Sequence, residues 1–164
     1  MKYLTLIRHA KSSWKDFSLP DNARPLNRRG KKDAPRMGKR LKYAKISFDH
    51  IYASPAKRAY KTAKLIAREI NYPEENITLE LSLYGSTSAY LLSYLRQLDD
   101  TLNHVAIVAH NPGLTDLVNA LSGENIFNVP TCGIVTLKLE VDHWQELGPG
   151  CGGISRFDYP KKED

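Results

Sequence analysis

The chain has no long hydrophobic run, and none of its apolar stretches approaches the roughly 20 residues that a membrane-spanning helix needs. The first apolar stretch ends at the charged Arg8, which makes it too short for a secretory signal, and no small-residue cleavage site follows it. We therefore expect a cytoplasmic protein with no membrane partner.

Cysteine and metal-ligand motifs are also scarce. The two cysteines, Cys132 and Cys151, show no CxxC spacing and are interpreted as ordinary reduced thiols. No HxxxH, DxD or clustered-carboxylate motif offers a cation its usual ligands. The sequence therefore predicts no metal site and no cofactor.

The composition is that of an ordinary globular protein. With 164 residues, of which 41% are hydrophobic and 26% charged, residues 1–164 are expected to form one domain. The net charge of +6 favours anionic partners, but the basic residues are scattered. The cluster at 28–32 is interpreted as a solvated helix face, so nucleic-acid binding is not expected.

Strand-like and helix-like segments alternate along the chain, which predicts an α/β layered fold with a mostly parallel sheet. The late strands lack helices between them, so the sheet is expected to be mixed at one side. Ser54 is predicted to cap a helix that begins at Pro55, and Asn27 to cap an earlier one. The predicted strands are 3–7, 48–53, 77–81, 104–109, 131–140, a short edge strand at 143–147, and 154–159.

Basic and imidazole side chains follow two of these strands. Arg8 and His9 come directly after the first strand, and His110 follows the strand at 104–109. Ligands of such sheets bind outside the carboxyl ends of the strands, and Arg58 lies in the first turn of the helix after another strand. Each residue alone has a structural explanation, but together the four predict one site.

This combination suits a phosphate group. The planar fork of arginine matches phosphate oxygens two at a time, and helix N-termini after Ser54 and Asn111 offer free N–H groups. Ser12 and Asn111 are expected to add hydrogen bonds to the phosphate, although Asn111 has a competing role as a helix cap.

Three motifs resemble those of the histidine phosphatase superfamily. Residues 6–10 read LIRHA, similar to the family's Arg-His-Gly signature with alanine in place of glycine. Residues 54–63 (SPAKRAYKTA) resemble its Ser-x-x-x-Arg-x-x-x-Thr-Ala helix, and 108–113 (VAHNPG) its second histidine motif. Residues 24–26 (RPL), followed by Arg29 and Gly30, indicate the SixA-like branch, whose members resemble phosphohistidine phosphatases.

The resemblance implies a phosphoglycerate mutase-like, three-layer α/β/α fold and a metal-independent phosphatase. His9 would be the nucleophile that becomes phosphorylated, while Arg8, Arg58 and His110 stabilise the transferring group. His9 must attack as a neutral imidazole, so its other ring nitrogen is expected to donate to a backbone carbonyl. The implied substrate is phosphohistidine in a protein.

One departure from the superfamily pattern concerns the general acid. Larger members have a glutamate near the middle of the chain, whereas here Glu80 stands one residue out of register, which on a strand reverses its face. SixA-like proteins are similar in lacking this acid. Two alternatives stay open: a phosphatase of a small phosphorylated metabolite, and a non-catalytic module that binds phosphorylated proteins.

Overall fold

A computed structural model describes residues 1–162. Its centre is a six-stranded sheet in the order β3-β2-β4-β1-β5-β6. The strands are β1 (Lys2–Arg8), β2 (His50–Ala53), β3 (Thr78–Leu79), β4 (His104–Ala109), β5 (Ile134–Leu139) and β6 (Gly152–Asp158). The helices are α1 (Arg28–Tyr43), α2 (Lys57–Glu69), α3 (Ser88–Arg96) and α4 (Gly113–Ser122).

The sheet is mixed, and its antiparallel part lies at one side as predicted. Strands β3, β2, β4 and β1 run parallel to one another, whereas β5 is antiparallel to β1 and β6 is antiparallel to β5. The carboxyl ends of β1, β2 and β4 consequently share one edge of the sheet. Three short chain segments leave the sheet at that edge.

Helices cover both faces, which confirms the three-layer α/β/α architecture. Ala106 and Val108 of β4 pack into a core shared with α1 and α2. Val105 and Ile107 point to the opposite face and pack with α3 and α4. Strand β4 is therefore buried on both sides, and its continuous apolar run follows from that position.

The two predicted helix caps have different outcomes. Asn27 caps α1 as predicted, since its side chain accepts a hydrogen bond from the N–H of Gly30. The prediction for Ser54 was wrong, because α2 begins at Lys57 with Ala56 at the cap position and no capping side chain. Ser54 is fully buried after β2, where its hydroxyl binds a histidine and also accepts from the N–H of Ala56, the residue at the cap position.

The predicted edge strand at 143–147 was also wrong, because this segment contains a 3-10 helix, Trp144–Glu146. The N–H of Trp144 donates to the carboxylate of Asp100, and the indole N–H donates to the carbonyl of Leu102. These bonds and the complete burial of the ring hold the segment against α3 and its loop, so it does not pair with the sheet as a strand.

Within residues 1–162, no helix has both the length and the apolar character to span a bilayer.

Candidate active site

Two imidazoles and one guanidinium meet at the carboxyl edge of the sheet. His9 follows β1, His110 follows β4, and their ring centres are 5.2 Å apart. Arg58, in the first turn of α2, donates from Nε to His9 Nε2 at 3.4 Å, and its Nη2 lies 3.5 Å from His110 Nδ1. Residues about fifty positions apart in the sequence therefore form one cluster. It lies at the carboxyl ends of the strands, as the sequence predicts.

Arg8, the last residue of β1, belongs to the same region. Its Nη1 donates to the carbonyl of Val129 at 3.0 Å, which fixes the guanidinium. Its Nε is buried and has no hydrogen-bond partner within residues 1–162. Its charge acts on both His9 and His110, so Arg8 adds positive potential to the cluster.

The ring of His9 is held in one tautomer. Its Nδ1 lies 2.7 Å from the carbonyl oxygen of Ala10, and since a carbonyl only accepts, Nδ1 carries the proton. Nε2 is then left with its lone pair, which faces Arg58. Burial, with smaller contributions from Arg58, Arg8 and Arg24, lowers the pKa of His9 to about 4. The expected backbone acceptor is thus present, and the imidazole is neutral at pH 7.

A buried threonine joins the segment after β1 to helix α2. The hydroxyl of Thr62 donates to the carbonyl of Arg58 at 2.7 Å and accepts from the N–H of Ala10 at 2.9 Å. Ala10 is the residue whose carbonyl holds His9. Thr62 therefore fixes the position of His9 relative to the helix turn that carries Arg58.

His110 is also held as a neutral ring. Its Nε2 exchanges a hydrogen bond with the Ser54 hydroxyl at 2.8 Å, and the ring of Tyr84 meets it edge-on. Burial, followed by the charges of His9 and Arg58, lowers the pKa of His110 to about 3. Ser54 thus belongs to the site as the partner of His110, a role that sequence reasoning missed.

Sequence reasoning also missed Asp21, an acidic residue in the loop at 12–25. One of its carboxylate oxygens accepts from Arg58 Nη2 at 2.9 Å and from the Tyr84 hydroxyl at 2.6 Å, and its backbone carbonyl accepts from Arg58 Nη1. The other carboxylate oxygen accepts from Arg24 Nε at 3.2 Å. These partners, Tyr84 foremost, lower the pKa of Asp21 to about 2. The only sequence signal was its position three residues before Arg24.

The two auxiliary phosphate ligands predicted from the sequence each have protein partners. Ser12 accepts a hydrogen bond from Arg24 Nη1 at 2.9 Å. The amide of Asn111 donates to the Asn128 side chain and the carbonyl of Val129, and its oxygen accepts from Thr115 at the start of α4. Asn111 therefore supports the start of α4, and phosphate binding by Ser12 and Asn111 stays a prediction.

Glu80 contacts a different part of the molecule. Its N–H pairs with the carbonyl of Ala53, and its side chain hydrogen-bonds Tyr94 of α3. Within the described part of the chain, no hydrogen bond or ion pair joins Glu80 to His9, Arg58 or His110. Residues 1–162 also contain no group of three or more His, Cys, Asp or Glu side chains placed to hold a metal ion.

An open basic groove adjoins the loop that carries Asp21. It has a volume of about 1000 Å³. Its lining comes from that loop and from the first turns of α1, and includes Ser13, Lys15, Arg28, Arg29, Lys31 and Lys32. Ser13 and the neighbouring Ser12 pair across the loop with the chain at 25–26, and Ser12 also accepts from Arg24, a partner of Asp21.

Comparisons with known proteins agree with this architecture. Residues 4–81 match the model of the histidine phosphatase superfamily, branch 1. An uncharacterized chloroplastic protein of Arabidopsis thaliana is 30% identical over 159 residues, which cover 90% of this chain and 72% of that protein. A SixA protein from Agrobacterium tumefaciens has the same fold, with a TM-score of 0.84, 24% identity, and 97% and 98% of the two chains covered. The protein histidine phosphatase SixA in complex with tungstate gives a TM-score of 0.78 at 23% identity, over 96% and 97% of the chains.

The fold and these matches together define a phosphatase. The chain belongs to the histidine phosphatase superfamily, and its fold is SixA-like.

Proposed function

We propose that this chain is a metal-independent, cytoplasmic phosphatase that removes phosphate from phosphohistidine in proteins, with His9 as the nucleophile. The state of His9 carries the proposal. Its Nδ1 donates to the carbonyl of Ala10, its Nε2 keeps an unprotonated lone pair that accepts only a long hydrogen bond from Arg58, and its pKa of about 4 keeps the ring neutral at pH 7. A module that only bound phosphate would need the positive charge and not a neutral imidazole.

In the first step, Nε2 of His9 attacks phosphorus and the bond to the leaving group breaks, with the electron pair passing to the leaving atom. Arg8 Nε, Arg58 and His110 donate to the equatorial oxygens as the group transfers. In the second step, water adds its hydroxyl to phosphorus and its proton goes to a phosphate oxygen. The electron pair of the P–N bond returns to His9.

The states of Glu80 and Asp21 favour a nitrogen leaving group. Glu80 is bonded to Tyr94, and Asp21 with a pKa of about 2 has no proton to give at neutral pH. At such a site, the leaving group of an alkyl phosphate ester would depart as an alkoxide that receives no proton. Phosphohistidine instead exchanges one imidazole for another, so the bond formed at His9 is equivalent to the bond that breaks.

The basic groove favours a protein as the carrier of that phosphate. It is open to solvent and exposes Arg28, Lys31 and Lys32, for which residues 1–162 provide no carboxylate partner. A small metabolite would leave this surface unused, whereas a protein with carboxylates around its phosphohistidine would cover it.

The test compares hydrolysis of a phosphohistidine protein, acetyl phosphate, sugar phosphates and an aryl phosphate, with and without a chelator. We expect turnover of the phosphohistidine protein and the aryl phosphate, slow turnover of sugar phosphates, and no effect of the chelator. His9→Ala should abolish turnover and leave the circular dichroism spectrum unchanged, whereas His143→Ala, at an exposed histidine, serves as the matched control. An acid-free quench should trap phosphorylated His9.

The same assay separates the protein substrate from the metabolite alternative. The double variant Arg28→Glu, Lys32→Glu should raise KM for the phosphoprotein about fivefold or more, since like charges then face each other. KM for the aryl phosphate should not change. The double variant Lys39→Glu, Lys42→Glu, farther along α1, is the control. Full activity of His9→Ala, or loss of activity with the chelator, would contradict the mechanism.

A further inference from the structure

The carboxylate of Asp21 lies at the mouth of the candidate site. Its side chain is 48% exposed, whereas that of its partner Arg58 is 7% exposed. His9 is only 8% exposed and forms the floor, and Tyr84, at 36%, stands beside Asp21. An anionic group is thus fixed on the solvent side of a site otherwise built from cations and neutral imidazoles.

This arrangement is unfavourable for a phosphate alone. A fixed negative charge repels a phosphate dianion, and three neighbours hold it in place by hydrogen bonds: Arg58, Arg24 and Tyr84. The charge persists across the working pH range, since the pKa of Asp21 is about 2. A substrate that carries a positive charge next to its phosphoryl group would turn this repulsion into attraction.

We propose that Asp21 selects substrates whose leaving group is a protonated imidazole, by accepting a hydrogen bond from the ring nitrogen that bears no phosphate. This inference rests on the function proposed above and names the charge state of the substrate that the site prefers. Asp21 acts on the leaving group and is not a proton donor.

The direction of attack places the leaving group at Asp21. Displacement at phosphorus runs in line, so the leaving atom departs on the side opposite His9 Nε2. Because His9 Nε2 faces Arg58, whose Nη2 binds Asp21, the side opposite His9 is the one that Asp21 and Tyr84 flank. Tyr84, whose hydroxyl donates to Asp21 and whose ring meets His110 edge-on, offers the flat cation an aromatic neighbour.

The proton balance explains why this charge matters. The substrate ring enters as a cation, with a proton on one nitrogen and the phosphoryl group on the other. When the P–N bond breaks, its electron pair stays on the ring, which departs as neutral imidazole with the proton it already held. Without that proton the ring would depart as imidazolate, a far poorer leaving group. A carboxylate that stabilises the cation keeps the ring protonated at higher pH.

The experiment measures kcat/KM for a phosphohistidine peptide and for 4-nitrophenyl phosphate between pH 5.5 and 8.5. Asp21→Asn should lower kcat/KM for the peptide about tenfold, the size of a one-unit pKa change in the bound ring. The same variant should raise kcat/KM for the aryl phosphate about threefold, because a charge that repels the dianion is gone. The alkaline decline of kcat for the peptide should move about one unit lower.

Two further variants separate charge from positioning. Asp21→Glu keeps the carboxylate and should keep the preference for the peptide, and Asp21→Ser is a second neutral replacement that should behave as Asp21→Asn does. If both substrates lose activity by the same factor, Asp21 only positions Arg58 and the inference is wrong, while the proposed function stands. If the unaltered protein cleaves the aryl phosphate but not the peptide, the phosphohistidine function itself fails, and the inference with it.

Discussion

Lowering the pH should destabilise the protein through the histidines of the candidate site. Native His9 has a pKa of about 4, whereas a histidine in an unfolded chain titrates near 6.5. Between these values the unfolded state binds a proton that the native state does not, so the free energy of unfolding falls as the pH falls. From pH 7 to pH 5 this amounts to about 2 kcal/mol for His9. His110, with a pKa of about 3, contributes a similar loss in the same direction.

Urea-induced unfolding at pH 7, 6 and 5 measures this loss. The change in the free energy of unfolding between pH 7 and pH 5 should be smaller by about 2 kcal/mol in His9→Ala than in the unaltered protein, because one titrating group has been removed. His143→Ala is the control, since this exposed ring binds Asp100 and, within residues 1–162, has no hydrogen bond or ring contact with the histidine cluster. The difference between variants separates His9 from groups outside its cluster that titrate in this range, among them His104.

Proton NMR of the imidazole C2–H gives a direct check. We expect the His9 resonance to stay at its neutral position down to pH 5 and to move only near pH 4. At pH 5 about nine-tenths of His9 would then be neutral, against about one-thirtieth at the ordinary pKa. Phosphoenzyme formation should follow that fraction. A midpoint above pH 6, or equal pH dependence of stability in His9→Ala and the unaltered protein, would refute the reasoning.

Two other substitutions test single contacts. Thr62→Val leaves the N–H of Ala10 and the carbonyl of Arg58 without their shared partner, so we expect a loss of about 1–3 kcal/mol in urea unfolding and a lower kcat; unchanged values of both would show that the hydroxyl positions nothing. Glu80→Gln should change kcat for the aryl phosphate by less than about twofold, since Glu80 bonds Tyr94 rather than the histidine cluster. A loss of a hundredfold, measured under the same conditions, would make Glu80 the general acid after all.

The fold was largely predictable because its sheet is built from unambiguous apolar runs. Strand β4, His104–Ala109, has the predicted bounds, and its burial on both faces explains why no alternation appears in it. The 143–147 segment was mispredicted because alternation of apolar and polar residues indicates a strand only where a neighbouring strand can pair with it. Trp144 has none, and its N–H groups bond to Asp100 and Leu102 instead.

The candidate site was predictable only where a residue lies at the end of a regular element. His9 and His110 follow strands and Arg58 opens a helix, so the topology brings them together. Asp21 begins one short 3-10 helix and Tyr84 follows another, 63 positions apart, and nothing local to either one predicts their hydrogen bond. Ser54 was mispredicted for a different reason. Its residue type favours a helix cap, but its side chain is fully buried and binds His110.

The side-chain hydrogen bonds of Arg58 and His110 join positions 37 to 56 residues apart, and no two members of the histidine cluster are neighbours along a single helix. Such a cluster exists only after β1, β2 and β4 have docked in register, which is a late event in chains dominated by distant pairings. The recovery of turnover during refolding therefore reports when the whole tertiary structure is complete. Truncated fragments that retain helicity should have no turnover.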